Sequence, residues 1–471
     1  MSRTLFSSIL CVLFLCLTLL QFKSFSQAGL LDIHNSLRYD KKRFISRFSG
    51  GLSMDLRSVS AKIIHAAIHS ALPDEAVKRA LLSHPLSGNV TLVAIGKAAW
   101  QMAHAAVSVL PRPVAQGIVI TKYGHALGSI PGVHIFEAGH PVPDANSYLA
   151  TQAVIDMVSH LSSDDTVLFL VSGGGSALFE KPLIPESELA DVTRQLLSRG
   201  ADIQEMNMIR KRLSAVKGGR FGLLCAPAHV FTIVLSDVLG DPLDVIASGP
   251  AYPDTSTAEQ ALNVIAKYHL TLSAQAHQAL KVPLPAHLDH VETVVTGSVR
   301  QLCSAAADCC KALNIEPHIL TASLNCEARE AGRFLASIAQ FHAHPASPVA
   351  YILGGETVVH LTGGGKGGRN QELALSSAEG ISGLSNVAVF SVGSDGTDGP
   401  TDAAGGYVDG RTLSLLKQQN IRISDVLQRN DSYHALKKTD GLIFTGPTGT
   451  NVNDLIVLLI DACSPSSMEP A

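Results

Sequence analysis

The chain has 471 residues, of which 16% are charged and 46% apolar, and its formal net charge is −4. That length implies two or three domains, and that balance excludes a disordered chain. The absence of a basic excess gives no reason to expect nucleic acid or an acidic membrane as partner.

The N-terminus carries two competing patterns. Residues 5–20 hold no charge, a run short for a membrane span and suited to the apolar region of a signal peptide. Residues 23–57 then hold seven basic side chains against three aspartates, with several serines, which resembles a mitochondrial presequence. Residues 1–50 are therefore read as a targeting or signal-like segment, with no stable membrane span expected in the mature protein. The expected location is mitochondrial or cytoplasmic, with a secretory route as the alternative. A third reading sets this segment outside the functional protein.

Beyond it the pattern is regular. Apolar residues at helical spacing over 58–82 predict a helix with Pro73 as its stop. Aliphatic strands are expected at 89–95, 117–121, 133–139, 166–171 and 230–237, with helices over 97–110, 150–161, 186–199 and 207–216 between them. The second half alternates in the same way, with a strand at 292–298, a helix over 299–313, a strand at 317–323 and a helix over 326–340. Two strands are then expected around Gly354-Gly355, one in 386–394, and two around a turn in 441–460. Strands alternating with helices predict βαβ units and mainly parallel sheets, hence an α/β protein. A boundary is placed near residue 285, giving domains over 51–285 and 286–465. The eight cysteines show no CxxC or Cys/His zinc spacing and are read as reduced thiols.

In open α/β sheets ligands gather at the carboxyl ends of strands, where strand order reverses. Four strand ends carry chemistry. In "AIGKAAW", Lys97 sits at the start of an expected helix, where the dipole already favours anions, so a nearby anion is implied. The plainer reading is a solvated lysine. In "LVSGGGSALF", Ser172, Gly173, Gly174, Gly175 and Ser176 join a strand to a helix, and glycines let amides approach an anion. A serine nucleophile is conceivable there, but the spacing is not Gly-x-Ser-x-Gly. In "GGGKGGRNQE", Gly367 and Gly368 precede Arg369, a residue type that clamps phosphate or carboxylate with two bonds. It is not a P-loop, since no Ser or Thr follows Lys366. A hairpin loop with a surface arginine is the alternative. In "VGSDGTDGPTDAAGG", Asp395, Asp398 and Asp402 supply hard oxygen ligands of the kind magnesium takes. Ordinary turn-forming aspartates are the alternative there. Two glycine-rich cradles, two cations and a carboxylate loop together suit phosphoryl transfer, where catalysis is positioning and charge neutralisation.

These same stretches carry a family resemblance. "IGKAA", "EAGHPVPD", "SGGGSAL", "MNMIRKRLSAVKGGR", "LSDVLGDPLDVIASGP", "GGETVV", "GGRNQELAL", "GSDGTDGPTDAAG" and "TGPTGTNVNDL" resemble, in order, the motifs of class II glycerate kinases, the glycerate 2-kinase type with a C-terminal MOFRL domain. The resemblance runs from about residue 57 to 460 and is close to the animal members. It implies a Rossmann-like N-terminal domain, a second α/β domain with its MOFRL region at about 348–460, and an active site in the cleft between them. It further implies ATP-dependent phosphorylation of D-glycerate, with 2-phosphoglycerate favoured as product, and ATP and Mg2+ as cofactors. The family's lysine and arginine match Lys97 and Arg369, and its glycine loop matches Ser172 to Ser176. Its acidic motifs place Asp237, Asp241, Asp395 and Asp398 at the cleft as metal ligands. A homodimer is an open option. One departure is a short segment between "TASLNCEAREAG" and "YILGGE", where animal members are expected to carry a longer insertion.

Two rivals stand beside this reading. A hydroxypyruvate reductase would need a Gly-x-Gly-x-x-Gly turn opening a helix, with an acidic residue about 20 positions on, and "SGGGSAL" has its glycines too tightly clustered. A non-catalytic nucleotide-binding protein would bind ATP without turnover.

Overall fold

The structure is a computed structural model that describes residues 54–462. The expectations for the N-terminal segment lie outside the described residues. Among the described residues no helix is long and apolar enough to cross a membrane.

Two six-stranded sheets organise the chain. The first comprises β1 (Asn89–Ile95), β2 (Gln116–Lys122), β3 (Val133–Ala138), β4 (Asp165–Val171), β5 (His229–Leu235) and β6 (Val291–Gly297), in the order β3-β2-β1-β4-β5-β6. Every pairing in it is parallel. Alternate side chains along each strand feed opposite faces, as a pleated strand requires. Val93 and Ile95 of β1 enter one core with Phe169 and Val171, while Leu92 and Ala94 enter another with Leu168, Leu170 and Met102. Burial on both faces is why these strands read as unbroken aliphatic runs. The strand order reverses between β1 and β4, so the loops after these two strands diverge and leave a crevice.

The second sheet comprises β7 (Glu316–Leu324), β8 (Val349–Gly355), β9 (Val387–Gly393), β10 (Gly405–Asp409), β11 (Leu442–Ile443) and β12 (Asp454–Ile460), in the order β11-β10-β9-β12-β8-β7. Here the expectation of a mainly parallel sheet is corrected. Only β7–β8 is parallel, and the other four pairings are antiparallel. β12 returns along both β8 and β9 after a long loop, a pairing that local periodicity cannot reveal.

Smaller differences follow the same logic. The helix expected over 58–82 is two helices, Leu56–Ser70 and Pro73–Ser83, and Pro73 opens the second, where its missing N–H costs nothing. Around Gly354-Gly355 there is one strand, not two. β6 follows residue 285 yet completes the first sheet, while the helix Leu56–Ser70 precedes it yet shares a core with Ile352, Phe390 and Leu455 of the second. Four helices, Glu186–Ser198, Ile203–Arg212, Ala258–Lys267 and Ala274–Lys281, bury a separate apolar cluster between β4 and β6.

Candidate active site

The turns after β1 and β4 lock to each other at the switch point. The Lys97 amide donates to the Gly173 carbonyl at 2.9 Å, and the Ser172 amide to the Ile95 carbonyl at 3.0 Å. The buried Ser172 hydroxyl accepts from the Ala98 amide and donates to the Ile95 carbonyl. It is a tie between loops, with no proton free for nucleophilic chemistry. The helix after β1 runs Ala99–Val109, so Lys97 stands two residues ahead of it and not in its first turn. Among the described residues no carboxylate lies within ion-pair distance of the Lys97 ammonium.

Three groups ring the glycine turn. A Cβ on Gly173 would lie 2.3 Å from Oδ2 of Asp237, and one on Gly174 (φ +86°) would meet His140 at 3.0 Å and Cε of Lys97 at 3.3 Å. Only glycine lets these side chains close on the backbone. Burial pushes the Asp237 carboxyl up, with Lys97 opposing, and burial followed by the Lys97 charge pushes His140 down. Behind the turn lies Lys217, fully buried. It donates to Glu180 Oε2 at 2.5 Å, to the Ser176 carbonyl at 2.8 Å and to the Phe179 carbonyl at 3.1 Å. Burial lowers its pKa and Glu180 pulls it back up. Lys97, Gln101, His125, Ser172, Gly173 and Asp237 line a cavity of 340 Å³ together with residues 449–451.

The segment 363–369 forms a second concavity of 810 Å³ with Glu356, Thr357, Asp395 and Asn430. Its glycines serve close packing. A Cβ on Gly363 or Gly365 would lie 2.5 Å from the backbone of Arg429. The amides of Gly363, Gly365 and Lys366 are taken up by Asn430, Arg429 and Asp431, so this half of the loop is not an anion cradle. Lys366 lies over the Tyr433 ring at 4.2 Å. Arg369 is already forked: Nε and Nη2 donate to Asp454 at 2.6 and 3.1 Å, and Nη1 donates to Glu356 at 2.9 Å. Burial opposes its charge, but Asp454 and Glu356 outweigh that and raise its pKa.

Asn453 ties a residue of one cavity to a residue of the other. Its Nδ2 donates to the Asp237 carbonyl and to Oε2 of Glu356, both at 3.3 Å. It holds φ at +65°, unusual for a side chain other than glycine, and its Oδ1 is buried without a partner.

Comparison with known proteins decides the family. Residues 59–281 match a family described as a domain of unknown function, DUF4147, and residues 349–454 match the MOFRL family. A D-glycerate 2-kinase of Thermotoga maritima is 52% identical over 86% of this chain and 98% of its own. The chain belongs to the glycerate 2-kinase family. The crystal structure of a T. maritima glycerate kinase superposes with a TM-score of 0.82 at 51% identity, over 86% of this chain and 99% of that one. The rat glycerate kinase is 31% identical over 88% of this chain and 95% of its own, so identity is higher to the bacterial member than to the animal one. One relative from Agrobacterium vitis, 39% identical over 79% of this chain and 100% of its own, carries the provisional name hydroxypyruvate reductase.

Against this family background, the expected site residues divide. Lys97, Asp237 and the 172–176 turn come together at the switch point. Arg369, Gly367 and Gly368 line the second cavity with Asp395 and Asp398. The four aspartates expected as metal ligands do not converge, and among the described residues no group of three or more His, Cys, Asp or Glu is placed to hold a metal. Asp398 is spent on the helix Arg369–Ser377, accepting from the Asn370 and Gln371 amides in place of the cap that Gly368 cannot supply. Burial nonetheless pushes its pKa up to about 6. Asp395 turns Oδ1 to Thr397, and Asp241 lies 4.0 Å from Arg300. Asp402 accepts from the Tyr433 hydroxyl. Magnesium is commonly held by one or two carboxylates plus substrate phosphates. Glu356 and Asp395, both on the larger cavity, fit that arrangement.

Glu356, Asp454, Asn453, His140 and the pair Lys217–Glu180 are not singled out by sequence reasoning. All six lie inside or directly beside the quoted motifs. An apolar strand opening on Asn-Asp, as in "NVNDLIVLLI", is the one local signal for Asn453 and Asp454.

Proposed function

We propose that this protein is a kinase that transfers the γ-phosphoryl group of ATP to D-glycerate, giving 2-phosphoglycerate and ADP. The observation that carries the reading is the placement of Lys97, with no carboxylate at ion-pair distance among the described residues, opposite a half-buried Asp237 across the glycine turn at the switch point. No side chain among the described residues donates to the Asp237 carboxylate, and its raised pKa suits a general base. Asp237 takes the proton of the glycerate 2-hydroxyl as that oxygen bonds to the γ-phosphorus. The bond from the γ-phosphorus to the β,γ-bridging oxygen breaks, and its electrons leave with ADP. Lys97 orients the glycerate carboxylate and, only in the transition state, offsets the charge that develops on the transferred phosphoryl group. The amides of Gly173 to Gly175 have no protein acceptor among the described residues, and Gly173 lines the same cavity. Arg369 holds Asp454 and Glu356 in register through three bonds. Glu356 and Asp395 would hold a magnesium, which supplies neutralisation of the nucleotide phosphates. Closure of the two cavities around both substrates excludes water, so that ATP is not merely hydrolysed.

The provisional name of the A. vitis relative gives the reductase reading a hearing. Against it, the turn after β1 carries one glycine and then Lys97, and no Gly-x-Gly-x-x-Gly opens the following helix. The deciding assay follows ADP release with D-glycerate, ATP and magnesium, beside a parallel reaction of hydroxypyruvate with NADH. ADP release that depends on D-glycerate supports the kinase. NADH consumption without it overturns the kinase.

A further inference from the structure

The two cavities differ in size, charge and wall, and the difference assigns them. The smaller, at 340 Å³, sets one cation, Lys97, against one carboxylate, Asp237, and includes Gly173, whose amide has no acceptor among the described residues. That is an environment for a small anion. The larger, at 810 Å³, is lined by Glu356, Glu372, Asp395 and Asp398 against a single cation, Arg369, which is already bound to two carboxylates. A bare triphosphate would be repelled there, whereas one that brings its own divalent cation would not. One wall is apolar and open: Val358 is 46% exposed and Leu361 81%. Beside them Thr357, only 2% exposed, has a hydroxyl with no hydrogen-bond partner. An apolar wall with a few polar groups is the usual surface for a planar base and its sugar.

We propose that the magnesium complex of ATP binds in the larger cavity, its nucleoside against Val358 and Leu361, while D-glycerate occupies the smaller one. The assignment rests on the kinase reading for the identity of the second substrate. It places the nucleotide on the side of the mixed sheet and not in the crevice of the parallel sheet. The γ-phosphoryl then reaches the acceptor hydroxyl at the junction where Asn453 ties Asp237 to Glu356.

The test separates the two subsites. Leu361→Asp and Val358→Asp place a negative charge on an exposed wall, where substitutions rarely unfold a protein. Each is compared with wild type and with Lys97→Met by titrating the fluorescent nucleotide N-methylanthraniloyl-ATP with magnesium and by measuring KM for both substrates. The expected result is a nucleotide Kd and an ATP KM raised about tenfold or more in the wall variants, with KM for D-glycerate within about twofold of wild type. Lys97→Met should raise the D-glycerate KM and leave the fluorescent nucleotide bound with a Kd within about twofold. Unchanged nucleotide affinity in both wall variants, or loss of nucleotide binding in Lys97→Met, overturns the assignment. Wild type that binds the nucleotide with the expected wall dependence but shows no D-glycerate-dependent ADP release overturns the kinase reading instead, and leaves the nucleotide cavity standing.

Discussion

Replacing Lys217 by Met removes a charge that the protein has enclosed completely. Lys217 is 0% exposed and Glu180 1%, and all three N–H groups of the ammonium are used, on Glu180 Oε2 and on the carbonyls of Ser176 and Phe179. Met fills the stem but leaves the Glu180 carboxyl without its counter-charge in a site closed to solvent. Breaking a buried pair from one side costs about 3–5 kcal/mol, a large part of the roughly 5–15 kcal/mol that holds a native protein together. The loss should appear as a lower denaturation midpoint in guanidinium chloride, followed by circular dichroism. The double variant Lys217→Met, Glu180→Leu removes the orphaned charge as well. It should recover most of the loss, to within about 2 kcal/mol of wild type, the remainder being the two carbonyls left without donors. The same carbonyls set the far side of the glycine turn, so the double variant should be stable yet slow. A single variant that loses less than about 1 kcal/mol, or a double variant less stable than the single, would refute the reasoning.

Three further outcomes are expected. Arg369→Lys should lower kcat by about 100-fold or more with the fold intact, because a point charge cannot meet Asp454 twice and Glu356 once; near-normal turnover sinks the assigned role. Wild-type kcat/KM should fall as pH drops through a pKa above the usual carboxylate value of about 4, since a raised Asp237 is protonated, and useless as a base, below that point. Asp237→Asn should lose about 100-fold or more in kcat, and an acid limb that persists unchanged in its residual activity would assign the limb elsewhere. Asn453→Gly keeps the backbone at φ +65° and deletes the bridge between Asp237 and Glu356, so kcat should fall about tenfold while the thermal midpoint stays put; equal losses in both would reduce Asn453 to a structural residue.

Several elements of this protein are legible in its sequence because their signals are local. β1, β2, β4 and β5 are buried on both faces, so each is a continuous aliphatic run, and the residues after them stand out as polar or glycine. Lys97 and the 172–176 turn are therefore visible as strand-end residues, and the rule for parallel sheets brings them to one crevice. The family motifs are legible for the same reason, as short strings at fixed places along the chain.

Tertiary structure alone decides what those residues touch. Arg369 and Asp454 are 85 positions apart, and only the return of β12 between β8 and β9 puts one on the other. The same return makes the second sheet mixed. Asp398 reads as a metal ligand by type, but the start of the helix Arg369–Ser377 claims both of its oxygens from 27 and 28 residues away. The glycines of 363–368 read as a cradle, but Gly363, Gly365 and Gly367 pack against 429–432 and Gly368 against Asp398, and that packing demands glycine at those four positions. Periodicity and motif strings record which face a residue presents. They do not record its partner, because pairing depends on contacts between segments distant in sequence, and the free energy that selects among them is summed over the whole core.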